Sequence, residues 1–325
     1  MRTFFRLSVI YFAVAMLVAA ALGHLSSDRV AEGIAATLVF VTKLSALSLW
    51  LAVPAVAALA VAGRQQLTGQ VEDLAYGLGG ILFLQVAFSV MKVLIPDFVP
   101  FYADPWLAAA DRWLHGGAEP WRLAHAAFAG SDAHLASVVY FTAWTAMVIL
   151  FPLVLAVGDP DRARAERFLI LYVMVWIVIG NLLAVAGSSV GPVFAGRAYG
   201  TDDFAGLHEA LESSGLTGTM IGASQDYLAR HLGSGSLAFA SGISAFPSVH
   251  VAMAALIGFY AAKRWPVTLP FAVLMVGAIL FLSVLTGYHY AVDGYAAILL
   301  VVAMWWLTRR FVATGAWRAP AAAAG

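Results

Sequence analysis

Apolar residues run along this chain in stretches of about twenty, separated by short polar segments, and that spacing predicts an all-α integral membrane protein. Eight stretches are candidates for crossing a bilayer: 5–23, 34–62, 74–95, 134–156, 168–186, 247–262, 268–287 and 291–308. The first also has the form of a signal peptide, with Arg2 and Arg6 ahead of the apolar run and small residues at Ala20 and Ala21. The topology of the remaining spans is the same under either reading.

Two long segments break the pattern. In 97–133, Asp104-Pro105 suits an N-cap and first helical position, and Trp106, Leu107, Ala110, Trp113 and Leu114 form an apolar stripe that stops at Gly116-Gly117. Glu119-Pro120 starts a second helix carrying Trp121, so this segment predicts helices lying at the headgroup level. Residues 187–246 read as a Gly- and Ser-rich loop, with helical spacing at Phe204, Leu207 and Leu211 and again at Tyr227, Leu228 and Leu232. A loop of this length is expected to be a lid or a substrate-binding wall.

Composition agrees with the spans. Charged residues make up 11% of the chain and hydrophobic ones 62%, where a soluble domain carries about 25% charged. Lys and Arg together equal Asp and Glu, 18 each, so net charge points to no nucleic acid and no acidic partner. With no cysteine, disulfides, thiolate catalysis and Cys-ligated metals are excluded. The sequence carries no Gly-x-Gly-x-x-Gly and no phosphate-cradling P-loop, so nucleotide-driven chemistry has no support. The loop residues Asp202, Asp203, His208, Asp226 and His231 match no metal-ligand spacing and are expected to face solvent; neither metal nor organic cofactor is expected.

The distribution of cations sets the orientation. A cytoplasmic N-terminus puts Arg2, Arg6, Arg64, Arg162, Arg164, Arg167, Lys263, Arg264, Arg309, Arg310 and Arg318 inside, against Arg29, Arg112, Arg122, Arg197 and Arg230 outside. Both termini are then cytoplasmic, in the plasma (inner) membrane of the cell. His250 begins the sixth span, and His289 ends the seventh after a short cytoplasmic turn at Lys263-Arg264. A helical hairpin returns to the face it left, so both histidines are expected at the exoplasmic or periplasmic face, and Asp293 opens the eighth span beside them.

That trio suits phosphoryl transfer, which needs a nucleophile, a proton for the leaving oxygen and electrostatic support for the phosphoryl oxygens. His289 and Asp293, four residues apart, share a helix face if the eighth helix starts early. Asp293 would then accept the Nδ1 proton and aim Nε2 of His289 at phosphorus, while His250 protonates the departing oxygen. Ser248 and the first amides of the sixth helix would hold phosphate oxygens.

The residues Pro247-Ser248-Val249-His250, and His289 with Asp293, resemble the Pro-Ser-x-His and Ser-Arg-x5-His-x3-Asp motifs of the type-2 phosphatidic acid phosphatase superfamily, which shares its active site with vanadium haloperoxidases. The resemblance covers roughly 74–310. It implies a six-helix catalytic bundle over 74–310, two additional helices over 1–73 and a cytoplasmic tail over 311–325. It also implies His289 as the phosphohistidine nucleophile, Asp293 as its orienting carboxylate and His250 as general acid.

Two of the family's cations are missing. Ser283 stands where an arginine is expected six residues before the nucleophile, and the Lys-x6-Arg-Pro motif survives only as Lys92 through Val99-Pro100. The run Asp104, Trp106, Asp111, Leu114, Gly116 and Pro120, with Gly191-Pro192, is similar to the inositol phosphorylceramide synthase branch, the target of aureobasidin, which also lacks those arginines. The cation that grips phosphate is expected to be Lys92 or Arg197. The expectation is a lipid head-group phosphotransferase of sphingolipid type, acting on a phospholipid or other lipid phosphate with a lipid alcohol as acceptor. The alternatives are a phosphatase for phosphatidate or polyprenyl phosphate, and a non-enzymatic lipid transporter lined by Lys43, Lys92 and the glycines around Gly77 to Gly80.

Overall fold

The first helix, α1 (Arg2–Ala21), lies along a second, α2 (Arg64–Val93), in a computed structural model that describes residues 1–29, 31–35, 38, 64–234 and 237–313. Glycines make that close approach feasible. A Cβ on Gly80 would sit 2.5 Å from the Phe4 ring and one on Gly79 2.9 Å from Phe5, so these glycines seat the rings of α1. The Tyr11 hydroxyl donates to the Asn181 side-chain oxygen and ties α1 to a later span, which satisfies both groups away from water.

Two short helices follow, α3 (Asp104–Leu114) and α4 (Pro120–Phe128), over residues that the sequence predicts to be helical. Then come the long α5 (Ala133–Gly158) and α6 (Arg162–Ala186), each started by an aspartate cap. Asp132 accepts from the amides of His134 and Leu135, and Asp161 from that of Arg164. Both spans contain a wide π-helical stretch, Val138–Ala143 in α5 and Val175–Leu183 in α6.

The 187–246 segment is more ordered than a lid loop. It holds α7 (Pro192–Tyr199), α8 (Ala205–Ser213), which buries Leu207 and Leu211 as their spacing predicts, and α9 (Met220–His231). The last described helices are α10 (Val249–Arg264), α11 (Leu269–Leu285) and α12 (Ala291–Ala313). No strand occurs among the described residues.

Among the described residues six helices are long and apolar enough to cross a membrane: α1, the Val71–Val93 part of α2, α5, α6, α11 (with its preceding turn, Pro266–Leu285) and the Ala291–Thr308 part of α12. Eight spans were expected. The expected 34–62 span, with Lys43, lies almost wholly outside the described residues. The expected 247–262 span is α10, with 16 residues, or about 24 Å at ~1.5 Å per residue. It packs against α5, α6, α11 and α12, and Val251, Ala252, Met253, Ala254 and Leu256 are fully buried. A helix enclosed by its neighbours has no need to match the hydrocarbon thickness.

The loop between α5 and α6 is pinned by Asp159, which takes two hydrogen bonds from Arg164 at 2.8 and 2.6 Å and one from Tyr260 at 3.0 Å. At the opposite end of the bundle a second hydrophobic core joins α3, α4, α7 and α8 to the α11–α12 turn around Trp121, Leu207, Val193 and Tyr290. The chemistry-bearing residues collect above that core.

Candidate active site

His250 occupies the first turn of α10, His289 the turn between α11 and α12, and Asp293 the first turn of α12. The hairpin formed by α10 and α11 brings the two imidazoles together, with ring centroids 6.1 Å apart. Both line a cavity of about 300 Å³, together with Lys92 at the end of α2. Its walls are mainly aromatic and aliphatic (Phe88, Tyr140, Trp144, Val148, Trp176, Phe194), with hydroxyls at Ser89, Thr145, Ser224 and Ser244.

The turn that carries His289 is held from several directions. Asp111, buried on α3, accepts from the amides of Ala291 and Val292 at 2.9 and 2.8 Å and so caps α12. Asp104 accepts from the amides of Val190 and Gly191 and from the hydroxyls of Tyr199 and Tyr290. It is the first residue of α3 and makes no cap bond to its own helix, contrary to the N-cap expected for it. Gly191 has φ +85°, and a Cβ there would lie 2.3 Å from the Tyr288 carbonyl oxygen, so only glycine fits.

Nδ1 of His289 lies 2.7 Å from the carbonyl oxygen of Ala245, 44 residues earlier, and 3.4 Å from Oδ2 of Asp293. The expected acceptor was Asp293. In the structure the main-chain carbonyl takes the closer position, while Asp293 Oδ2 accepts from the Tyr290 amide at 2.9 Å and Oδ1 has no partner. A carbonyl can only accept, so Nδ1 carries the proton and Nε2 keeps its lone pair. His289 lies in the turn outside the two flanking spans. Burial, followed by the Lys92 ammonium, holds its pKa below the ordinary histidine range, which keeps the ring neutral.

His250 is held differently. Its ring stacks on Trp144, with centroids 4.0 Å apart and planes at 19°, and on Tyr140 at 4.8 Å and 10°. The Trp144 indole N–H donates to the His250 carbonyl at 3.0 Å. Neither aromatic partner carries a motif signal in the sequence.

The remaining expected site residues divide. Lys92 lines the cavity, with its ammonium 5.8 Å from the Phe88 ring centroid. Arg197, at the end of α7, is exposed and does not line it, so it is not positioned for the phosphate grip expected of it. Ser248 is fully buried, caps α10 through Val251 N at 3.3 Å and does not line the cavity either, contrary to the phosphate contact expected of it. Ser283, in the place of an arginine, is buried and spends its hydroxyl on the Ile279 carbonyl.

A helical membrane bundle with paired histidines beside an internal cavity defines the class. The family model of the PAP2 superfamily matches residues 105–307, and the chain belongs to that superfamily. Its members are generally phosphatases or phosphotransferases acting on phosphate esters. No curated protein and no solved structure matches the chain.

Proposed function

We propose that this protein is a membrane phosphotransferase that cleaves a lipid phosphodiester through a phosphohistidine at His289 and passes the phosphoryl head group to a lipid alcohol. The observation that carries the reading is the pair of imidazoles, 6.1 Å apart, lining a largely apolar cavity with Lys92. Neutral His289 attacks phosphorus through Nε2, and the bond from phosphorus to the leaving oxygen breaks as His250 delivers a proton to it. The acceptor hydroxyl then gives its proton to His250 and attacks the phosphohistidine, which frees His289.

Among the described residues Lys92 is the one lysine or arginine on the cavity wall. One cation suits a phosphodiester, which carries one negative charge, better than a doubly charged monoester. The apolar walls suit a lipid on either side of the transfer. These features favour the head-group transfer of the inositol phosphorylceramide synthase branch over hydrolysis. By the distribution of cations in the sequence, the site opens at the exoplasmic or periplasmic face and both termini are cytoplasmic.

Purified protein given a phospholipid labelled with ³²P in its head-group phosphate should acquire acid-labile label, and His289→Ala should acquire none. Added ceramide or diacylglycerol should discharge the label into a new lipid. Discharge to free head-group phosphate at the same rate with and without either alcohol would replace transfer by hydrolysis. Label retained by the His289→Ala variant would remove the phosphohistidine.

A further inference from the structure

Of the two histidines in the cavity, one has a conventional hydrogen-bonded orienter and the other has none. Ala245 receives Nδ1 of His289. No described residue hydrogen-bonds a ring nitrogen of His250, and its ring instead lies against Trp144 and Tyr140. We propose that Trp144, assisted by Tyr140, is a positioning residue that holds the His250 ring and stabilises its protonated form through the π faces. This inference rests on His250 being the proton donor of the reaction proposed above.

The physical need is specific. An imidazolium inside apolar walls has lost its hydration. The titratable groups facing it are His289 from the α11–α12 turn, Lys92 from α2, Tyr140 from α5 and Tyr288 from the same turn as His289. None is a carboxylate, and Lys92 repels the charge. The negative face of an aromatic ring attracts a cation within about 6 Å of its centroid, most strongly for tryptophan. Trp144 meets that condition at 4.0 Å and also fixes the backbone of the same residue through its indole N–H.

The helix that carries both rings supports the arrangement. Tyr140 sits in the π-helical stretch Val138–Ala143, and Trp144 follows directly after it. Such widened turns concentrate at functional sites. Tyr140 also stacks, at 6.1 Å and 10°, on Tyr288, the neighbour of His289, so one aromatic column links the two imidazole-bearing segments. The column supports the ring in both protonation states and supplies no proton itself. The proton moves only between His250 and the leaving or entering oxygen.

The test is the pH dependence of kcat for release of diacylglycerol, an alkoxide leaving group that departs only with a proton, from a phospholipid carrying a fluorescent acyl chain with ceramide present as acceptor, in wild type, Trp144→Phe, Trp144→Leu and Tyr140→Leu. The basic limb reports loss of the His250 proton. Trp144→Leu should move that limb to lower pH by about one unit, the scale of a desolvated cation–π contact. Trp144→Phe, which keeps a ring but loses the indole donor, should move it by less than half as much. Tyr140→Leu should move it in the same direction and carries the test if Trp144→Leu does not fold.

A basic limb unchanged in Tyr140→Leu and in whichever Trp144 variants fold would overturn the inference. So would equal displacement by Trp144→Phe and Trp144→Leu, which would assign the effect to the lost N–H bond. His250→Ala separates the two readings. Full turnover in that variant would remove the proton donor itself, whereas lost turnover with an unmoved limb in the aromatic variants would remove only the role of the rings.

Discussion

Nδ1 of His289 is tied to the carbonyl oxygen of Ala245 at 2.7 Å, closer than the carboxylate of Asp293 at 3.4 Å. The tautomer of the proposed nucleophile is therefore set by the strap that leads into α10. Asp293 holds the Tyr290 amide. Asp293→Asn keeps an oxygen acceptor for that amide, so it should lower kcat by about 10-fold. Asp293→Ala, which abandons the amide in a buried site, should lower it by roughly 1,000-fold. Equal losses, measured as steady-state rates at saturating lipid, would return the orienting role to the carboxylate.

Lys92 and Arg197 make opposite predictions. Replacing Lys92 by Met should reduce kcat/KM by about 100-fold, the scale of one lost electrostatic contact in a transition state. It should also move the acidic limb of the kcat/KM profile upward. The nucleophile works unprotonated, and Lys92 contributes to holding the His289 pKa down, so removing that charge lets His289 gain a proton at higher pH. Arg197→Ala, on an exposed side chain away from the cavity, should change kcat/KM by less than about 2-fold.

Asp111→Ala leaves the amides of Ala291 and Val292 without their acceptor in a buried turn. The expected cost is about 1–3 kcal/mol of stability, with a further loss of kcat from misplacement of His289. Thermal unfolding in detergent, followed beside turnover, checks both. A variant as stable and as active as wild type would show that α12 starts unaided.

The Asp159 loop has its own pH signature. Its carboxyl pKa is held down to about 2, chiefly by the Arg164 guanidinium that hydrogen-bonds it. The unfolded chain takes up that proton near pH 3.9. The contribution to stability is therefore complete above that pH and is lost as pH falls toward about 2. Asp159→Asn should lower Tm at pH 6 and 7, and the gap to wild type should close on acidification. A gap that persists at pH 2.5 would assign the effect to packing.

Much of the architecture was readable because it is written in period and length. Six of the apolar runs fall on described helices long and apolar enough to cross a membrane, and α3, α4 and α8 appear where the sequence predicts helices. The pairing of His250 and His289 followed from the return of a helical hairpin. The enclosure of α10 did not, because packing by neighbouring helices leaves no mark in hydropathy. The positions of Ser248 and Arg197, off the cavity wall, were out of reach for a related reason. A serine before a helix reads the same whether its hydroxyl faces a ligand or its own amides, and a loop arginine carries no sign of which way α7 turns it. Ala245 was out of reach of the sequence, since any residue there offers the same carbonyl. Asp104 and Asp111 stood out as part of a resemblance. Their partners, Val190, Gly191, Ala291 and Val292, are main-chain amides that only the folded chain reveals.

On α3 the buried face carries Asp104 and Asp111, while Trp106 and Trp113 project from the other side, 75% and 81% exposed. Tryptophan seeks the boundary between lipid carbonyls and water. The same helix thus presents two tryptophans on one edge and clasps the segment bearing His289 on the other. Whatever depth these two tryptophans take up in a bilayer, the turn bearing His289 shares it, because Asp111 on the same helix holds the amides of Ala291 and Val292.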